Sequence, residues 1–170
     1  MALEHIVHSI APTYDAESRV LVLGSIPSPK SRESNYNYGH PQNRFWRVIS
    51  TLAGEPLPQT VEEKRALVLR NHIALWDVLA ECDIEGASDA SIKNPRPNRL
   101  SLITKAAPIR AVFCTGAKAH QLYVRLGCEQ ECGLAAVRLP STSPANAACS
   151  MERLLEAYEQ VFVAARGEEA

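Results

Sequence analysis

Short apolar runs that stop at glycine or proline recur along the chain and predict buried β-strands. The first lies in "RVLVLGSIPS", residues 19–28, and is rich in β-branched side chains. A second strand is predicted near the start of "IALWDVLAEC", residues 73–82, although this pattern also fits a helix. Two more runs lie in "IRAVFCTG", residues 109–116, and "LAAVRLPS", residues 134–141. Because apolar residues follow one another without alternation, both faces of these strands are expected to be covered.

Amphipathic segments that predict helices lie between these runs. Phe45, Ile49 and Leu52 share one face of a helix. Asn43 lies at its start, in the position of an N-cap. Further helices are predicted after Thr60 with its capping-box partner Glu63, over residues 100–107, over residues 119–126 and from Met151 to Ala165. The polar, proline-rich stretch "EGASDASIKNPRPNRL", residues 85–100, predicts a long surface connection instead.

Buried strands that alternate with amphipathic helices indicate an α/β fold with a parallel sheet. In such sheets, ligands bind beyond the carboxyl ends of the strands. Three predicted strands end in conspicuous loops, "GSIPSPKS", "CTGAKAH" and "PSTSPAN", which begin at Gly24, Cys114 and Pro140. The segment "NYNYGHPQNRFW", residues 35–46, extends the first loop with amides and aromatic rings. We therefore expect these loops to share one site at one edge of the sheet.

Length and charge narrow the class of protein. The chain has 170 residues and a net charge of −1, which suits one globular domain over residues 1–170 and excludes a histone-like polycation. A local basic patch is still compatible with that charge. We expect a cytoplasmic protein, because no apolar run approaches a membrane span and the first residues are too polar for a signal peptide. The odd number of cysteines, five, then predicts reduced thiols.

The sequence lacks the motifs of the common cofactor and metal sites. It has no P-loop, GxGxxG, HExxH or GxSxG pattern, and no carboxylate pair typical of a glycosidase. The five histidines are scattered, and "CEQEC", residues 128–132, lacks the spacing of a zinc site. We expect neither a metal nor a cofactor. The remaining amides, hydroxyls and aromatic rings suit an uncharged, planar ligand such as a nucleobase.

Three segments in this order carry a resemblance to a known family: "GSIPS", "YGHPQNRFW" and "LPSTSPAN". They resemble the uracil-DNA glycosylase superfamily, and most of all its hypoxanthine-DNA (deoxyinosine) glycosylase branch. The resemblance extends over residues 19–166. It implies a three-layer α/β/α sandwich around a four-stranded parallel sheet. It also implies a monofunctional, metal-free hydrolase that flips a deaminated base out of DNA and leaves an abasic site.

The resemblance assigns the catalytic role to Asn43. Mismatch-specific relatives carry a catalytic asparagine in their first loop, where this chain has Ile26, and other relatives carry an aspartate that this loop lacks. Asn43 resembles the functional asparagine of the hypoxanthine branch, but a plain helix cap would explain it too. Gly24 and Ser25 would donate to the base or hold the attacking water. A tight turn between strand and loop is the alternative.

Two further residues of the first loop are expected to contact the base. Tyr38 matches the position at which relatives stack an aromatic ring on the flipped base, although a partly buried loop tyrosine would look the same. His40 would orient a water or bind phosphate, and a structural histidine is the alternative. Ile26 would line the pocket.

The third loop resembles the segment that presses on the DNA. Ser141, Thr142 and Ser143 would donate to phosphates. Ser143 and Pro144 also have the pattern of the N-cap and first residue of the last helix, whose positive end would favour a phosphate. Asn146 would contact DNA or fill the gap that the flipped base leaves.

The leading hypothesis is a base-excision enzyme that acts, as a monomer, on DNA containing hypoxanthine. A uracil- or mismatch-specific glycosylase is the alternative within this class. A protein that binds damaged DNA or free bases without catalysis is a second, because the first loop lacks the usual asparagine. A third is a nucleoside-processing enzyme that never binds DNA, which salt-dependent DNA affinity would exclude.

Overall fold

Four parallel strands form the centre of the computed structural model, which describes residues 3–34 and 36–167. The strands are β1 (Glu4–Val7), β2 (Val20–Gly24), β3 (Ile73–Asp77), β4 (Leu79–Glu85), β5 (Ser88–Pro97), β6 (Ala111–Thr115) and β7 (Ala136–Leu139). The helices are α1 (Pro29–Ser34), α2 (Phe45–Ala53), α3 (Val61–Arg70), α4 (Ser101–Ala106), α5 (Ala117–Arg125), α6 (Cys128–Cys132) and α7 (Met151–Arg166), with a 3₁₀ turn at Pro144–Asn146. The parallel sheet has the order β3-β2-β6-β7, so the predicted α/β/α sandwich is confirmed.

The central strand β2 explains why the sheet has two covered faces. All five of its residues are buried. Val20 and Val22 pack in one cluster with α2, α3 and α7. Leu21 and Leu23 pack in a second cluster with α4, α5 and α6. A strand that contributes side chains to two cores needs apolar residues at every position, and this is the pattern that made it visible in the sequence.

A second, antiparallel sheet has the order β1-β4-β5, and it corrects two predictions. The strand expected near Ile73 is confirmed, but residues 73–82 contain β3 and the start of β4, which belong to different sheets. The long surface connection predicted for residues 85–100 is wrong, because most of it is β5. This strand lies at the edge of its sheet and pairs with β4 through register shifts, a place where prolines are tolerated.

Val78 is the single residue between β3 of the parallel sheet and β4 of the second sheet, and hydrogen bonds fix this junction on both sides. The amide of Val78 donates to the Gly24 carbonyl at 2.8 Å, and the amide of Leu79 donates to the Ser25 carbonyl at 3.0 Å. The amide of Asn98 donates to the Val78 carbonyl at 2.7 Å. The junction therefore ties the first loop to the end of β3 and to the second sheet.

The start of the last helix differs from the prediction. Ser143 and Pro144 do not begin α7; they begin the 3₁₀ turn, where the Ser143 hydroxyl accepts from the amide of Ala145 at 3.2 Å. Ser150 caps α7 and accepts from the amide of Arg153. Serine and proline suit the first turn of either type of helix, so the sequence did not distinguish them. The predicted cap at Thr60 is confirmed.

Two further properties concern the helices and the cysteines. Within residues 3–34 and 36–167, no helix combines the length and the apolar character needed to cross a bilayer. All five cysteines are free thiols, and Cys82, Cys114 and Cys128 are buried.

Candidate active site

A cavity opens at the carboxyl ends of the parallel strands, at Gly24 of β2, Asp77 of β3 and Thr115 of β6. Residues 24–28 and 141–143 face each other across it, as the sequence predicted for the first and third loops. Its volume is about 130 Å³. An engineered apolar cavity of about 150 Å³ holds benzene, so the space suits one planar ring system.

Asn43 lies on the wall of the cavity with its side-chain amide in a fixed orientation. Its Oδ1 accepts from the amide of Phe45 at 2.9 Å and from the Thr142 hydroxyl at 2.8 Å. Since both partners are donors, the oxygen must face them. The Nδ2 group has no hydrogen-bond partner in the part of the chain that the structure describes. Asn43 precedes Arg44, which holds the N-cap position of α2, so the predicted cap lies one residue early, although its oxygen still binds the first helical amide.

Tyr38 is held between Phe45 and the end of β6. The rings of Tyr38 and Phe45 stack with centroids 3.8 Å apart and planes inclined by 10°. The Tyr38 and Thr115 hydroxyls are 3.0 Å apart and hydrogen-bonded. Burial, and next the charge of Asp77, raise the pKa of Tyr38 well above its usual range, so the phenol stays protonated. Phe45 covers one face of the ring, which leaves only the other for a base.

Asp77 is a buried carboxylate on the cavity wall that the sequence analysis did not single out. It is 3% exposed, and its Oδ2 accepts from His8 Nε2 at 2.8 Å and from Asn37 Nδ2 at 2.9 Å. His8 Nδ1 accepts from the amide of Ile10 at 3.2 Å, which places the imidazole proton on Nε2. Asp77 Oδ1 has no hydrogen bond within the described ranges.

Asn37, another residue of the cavity wall, carries a buried acceptor. Because a carboxylate only accepts, the bond from Asn37 Nδ2 to Asp77 fixes which way the amide faces. Asn37 is 2% exposed, and its Oδ1 is a buried oxygen without a hydrogen-bond partner among the described residues. Such an atom costs about 1–3 kcal/mol if it stays unpaired, so a donor from a ligand would stabilise it.

Gly24 is required by the position of Asp77. A Cβ atom on Gly24 would lie 2.5 Å from Asp77 Oδ1, a distance at which either strand or carboxylate must shift. The close approach of β2 and β3 therefore sets the position of the carboxylate.

We expect Gly24→Ala to lower the activity of this site by about tenfold, because making room for the methyl group costs roughly 1–3 kcal/mol and moves the carboxylate, and about 1.4 kcal/mol corresponds to a factor of ten. Gly54→Ala is the matched control. Gly54 has a φ of 69° but open space around it, so alanine there should cost stability without affecting the cavity. Single-turnover rates and thermal unfolding of both variants test this. Equal rates for the two variants would show that the position of Asp77 tolerates the methyl group.

The other predicted base-contacting residues are divided between the cavity and its surroundings. Ser25 and Ile26 line it, and the Ser25 hydroxyl donates to Asp89 Oδ1 at 3.1 Å. Asp89, from β5, completes this wall and was not predicted. His40 is not among the lining residues. Its Nδ1 accepts from the amide of Gln42 at 3.0 Å, a contact within its own turn.

The third loop contributes less to the surface than predicted. Thr142 is 1% exposed and its hydroxyl donates to Asn43, so this hydroxyl is engaged within the protein, and its contact with a phosphate stays a prediction. Ser141 and Ser143 lie on either side of it on the cavity wall. Pro144 and Asn146 do not line the cavity. Asn146 Nδ2 instead donates to the Ser141 carbonyl at 2.9 Å, which fixes the shape of the loop.

Arg44 attaches this loop to α2. Its guanidinium donates to the carbonyls of Cys149 at 2.6 Å and Asn146 at 3.1 Å, and its amide donates to the Thr142 carbonyl at 3.1 Å. These bonds hold the two loops together. Asn35, in the first loop, lies outside the described residues.

The chain is similar to known proteins in both sequence and fold. The model of the family described as "Uracil DNA glycosylase superfamily" matches residues 11–165. A protein of Methanosarcina acetivorans named "Hypoxanthine DNA glycosylase" is 35% identical over 150 residues, which cover 87% of this chain and 92% of that protein. One of Methanosarcina barkeri with the same name is 36% identical over 112 residues, 65% of this chain and 71% of that protein. A solution NMR structure of a Methanosarcina acetivorans protein superposes with a TM-score of 0.79 at 32% identity, over 94% of this chain and 98% of that one.

Proposed function

This chain belongs to the uracil DNA glycosylase superfamily, and we propose that it removes hypoxanthine from deoxyinosine in DNA by hydrolysing the N-glycosidic bond. Its activity is that of a DNA glycosylase, and its partner is damaged DNA. The proposal concerns the base that it removes, the residues that act and the product, an abasic site. Metal and cofactor have no part in the proposed reaction.

The unpartnered polar groups of the cavity carry the proposal. Two are acceptors, Asp77 Oδ1 and Asn37 Oδ1, and one is a donor, Asn43 Nδ2. Deamination of adenine replaces an acceptor at ring N1 with an N–H donor, and the adjacent amino group with a carbonyl. The resulting lactam has a donor next to an acceptor, and the cavity wall offers both an acceptor and a donor to bind it. Adenine would place its N1 acceptor against a carboxylate or an amide oxygen, which a site of this kind rejects strongly.

Asn43 would act on the departing base. Hydrolysis forms a bond from water oxygen to the anomeric carbon and breaks the bond from that carbon to the base nitrogen, so negative charge grows on the base. Since Oδ1 is held by Phe45 and Thr142, Asn43 can act only as a donor, through Nδ2. A donor fixed before the reaction stabilises that charge most in the transition state.

Ser25 and Tyr38 would position the reactants. The Ser25 hydroxyl donates to Asp89, and its lone pairs are then free to accept from the attacking water. The free face of Tyr38 would stack on the base, with Phe45 supporting the ring from behind. Tight placement of water, sugar and base is itself a large contribution to the rate.

Uracil is the second candidate substrate, because its ring N3–H and adjacent carbonyl form the same lactam pattern. The names of two relatives favour hypoxanthine, and both are specific about that base. Xanthine shares the lactam as well. The cavity is thus expected to accept several deaminated bases, at rates that its shape decides.

The test uses labelled duplexes with one deoxyinosine, deoxyuridine, deoxyxanthosine or unmodified deoxyadenosine, followed by alkaline cleavage at abasic sites. We expect the fastest cleavage at deoxyinosine and a rate at deoxyadenosine lower by at least about 10⁴-fold, the discrimination typical of a site that must hydrogen-bond its substrate. Faster cleavage at deoxyuridine would replace hypoxanthine with uracil as the main substrate. Salt-dependent DNA binding without any cleavage would indicate a protein that binds damaged DNA without catalysis. Hydrolysis of free deoxyinosine without DNA binding would indicate a nucleoside hydrolase.

A further inference from the structure

Two surface grooves continue from the mouth of the cavity. The first, of about 620 Å³, shares Asp89 and Ser143 with the cavity wall and extends to Arg138 and Arg153. The second, of about 860 Å³, shares Arg138 with the first and extends along α5. The grooves and the cavity thus form one continuous depression across the carboxyl edge of the sheet.

Four cations line the two grooves: Lys118, Arg125, Arg138 and Arg153. We call this set the basic trough. None of their side chains forms an ion pair or a hydrogen bond within residues 3–34 and 36–167. Other cations of the chain are engaged, for example Arg44 with the third loop and Arg70 with Glu55. In a protein with a net charge of −1, the trough is therefore a place where positive charge is free to meet a ligand.

Among the described residues that line the two grooves, Asp89 is the only carboxylate. Asp89 lies where the cavity and both grooves meet, and its side chain accepts from Ser25. Glu156 lies beside Arg153 in a neighbouring depression. With these two carboxylates against four cations, the trough keeps a positive balance.

The backbone adds donors at the same place. Helix α5 spans nine residues, Ala117–Arg125, and begins directly after Gly116 at the cavity edge. Gly116 approaches the third loop so closely that a Cβ there would lie 3.3 Å from Ser141 Cβ. The N-terminal amides of α5 and the side chain of Lys118 therefore lie next to the loop that borders the cavity, and such a helix end favours an anion.

We propose that the basic trough binds the phosphodiester backbone of the DNA strand that carries the extruded nucleotide. The inference rests on the proposed function. A base inside the cavity stays covalently attached to its strand, so the flanking phosphates must lie at the mouth. The trough is continuous with that mouth and carries the opposite charge. Sequence-independent affinity then comes from these cations, and selection of the base from the cavity.

The experiment measures the affinity for a short duplex with one abasic site, the product of the proposed reaction, which the enzyme does not turn over. Lys118→Gln, Arg138→Gln, Arg153→Gln and the triple variant are compared with wild type between low and moderate salt. The slope of log K against log salt should decrease in magnitude by about 0.9 for each phosphate that the variant no longer neutralises. Thermal unfolding of every variant verifies that it is folded.

Lys105→Gln is the matched control. Lys105 lies in the last turn of α4, ahead of the amino end of β6 and so at the opposite edge of the sheet. Lys105→Gln removes the same charge as each single trough variant, and its slope of log K against log salt should equal that of wild type. A triple variant that keeps the wild-type slope, or a control whose slope falls as much as that of a trough variant, would overturn the proposal.

The two proposals can fail separately. The wild-type enzyme could release the base while the triple variant keeps the wild-type salt slope. This result would refute DNA binding by the basic trough and leave the proposed glycosylase reaction supported. A slope that falls as expected, with no base released from any duplex, would support the trough and refute the proposed reaction.

Discussion

Asn43→Ala is expected to lower the single-turnover rate of hypoxanthine release by about 10²–10³-fold, the usual cost of removing one fixed donor that acts on a developing negative charge. The substitution also removes the oxygen that binds the amide of Phe45 and the hydroxyl of Thr142. Removal of such a cap destabilises a helix start by about 1 kcal/mol. Rates on a deoxyinosine duplex and thermal unfolding must therefore be measured together.

Asn43→Asp separates the two roles of this residue. Aspartate keeps an oxygen for Phe45 and Thr142 but has no Nδ2 donor. If Asn43 acts on the base, the aspartate variant should be stable and as slow as the alanine variant. If Asn43 only supports the start of α2, the aspartate variant should keep the wild-type rate, and the catalytic assignment would be wrong.

Asp77→Asn is expected to lower the rate on deoxyinosine by about 10–100-fold, since a hydrogen bond to a charged group contributes about 1.5–3 kcal/mol. His8 and Asn37 both donate to Asp77 Oδ2, so the oxygen of an asparagine would remain with them. Its NH₂ group would then replace Oδ1 at the cavity. The substitution turns an acceptor into a donor at a nearly constant shape, and the lactam N–H would meet a second donor.

The measurement for Asp77→Asn compares rates on deoxyinosine and deoxyuridine duplexes with the unfolding temperature. A slow variant with a wild-type unfolding temperature supports a role in recognition. An unchanged rate on both duplexes would mean that Asp77 serves only to orient His8 and Asn37. A large loss of stability with a proportionate loss of rate would have the same meaning.

Among the described residues, the sequence predicted the four strands of the parallel sheet and missed β1, β4 and β5, which form the second sheet. β2 and β6 lie inside the parallel sheet, and their apolar runs follow from packing in the core clusters on both of its faces, whereas β7 lies at the edge and exposes Val137. β5 has mostly exposed residues, two prolines and shifted pairing, so it has neither an apolar run nor a clean alternation. Its pairing partner, not its own composition, makes it a strand.

For the site, motifs identified the loops but not which atoms face the cavity. Gly24, Asn43 and Tyr38 line it, whereas the Thr142 hydroxyl points to Asn43. Asp77 directly follows an apolar run, at the strand end where ligands bind in parallel sheets, so a signal was present. The ambiguity of residues 73–82 between helix and strand concealed it. The orientation of the Asn37 amide is set by the bond from its Nδ2 to Asp77, 40 residues away in sequence. This orientation leaves the Asn37 Oδ1 without a partner among the described residues, and no local sequence pattern indicates it.

The single-residue junction at Val78 has a consequence for the DNA. Hydrogen bonds on either side of Val78 join the first loop, β3 and the second sheet, so these parts of the cavity floor are held together as one unit. In the proposed reaction the nucleotide therefore comes out of the duplex to this floor, and the duplex bears the unstacking energy, a few kcal/mol. That energy is smallest where the pair is already mismatched, as hypoxanthine is opposite thymine. The strength of the pair that is opened thus contributes to selection before any group of the cavity contacts the base.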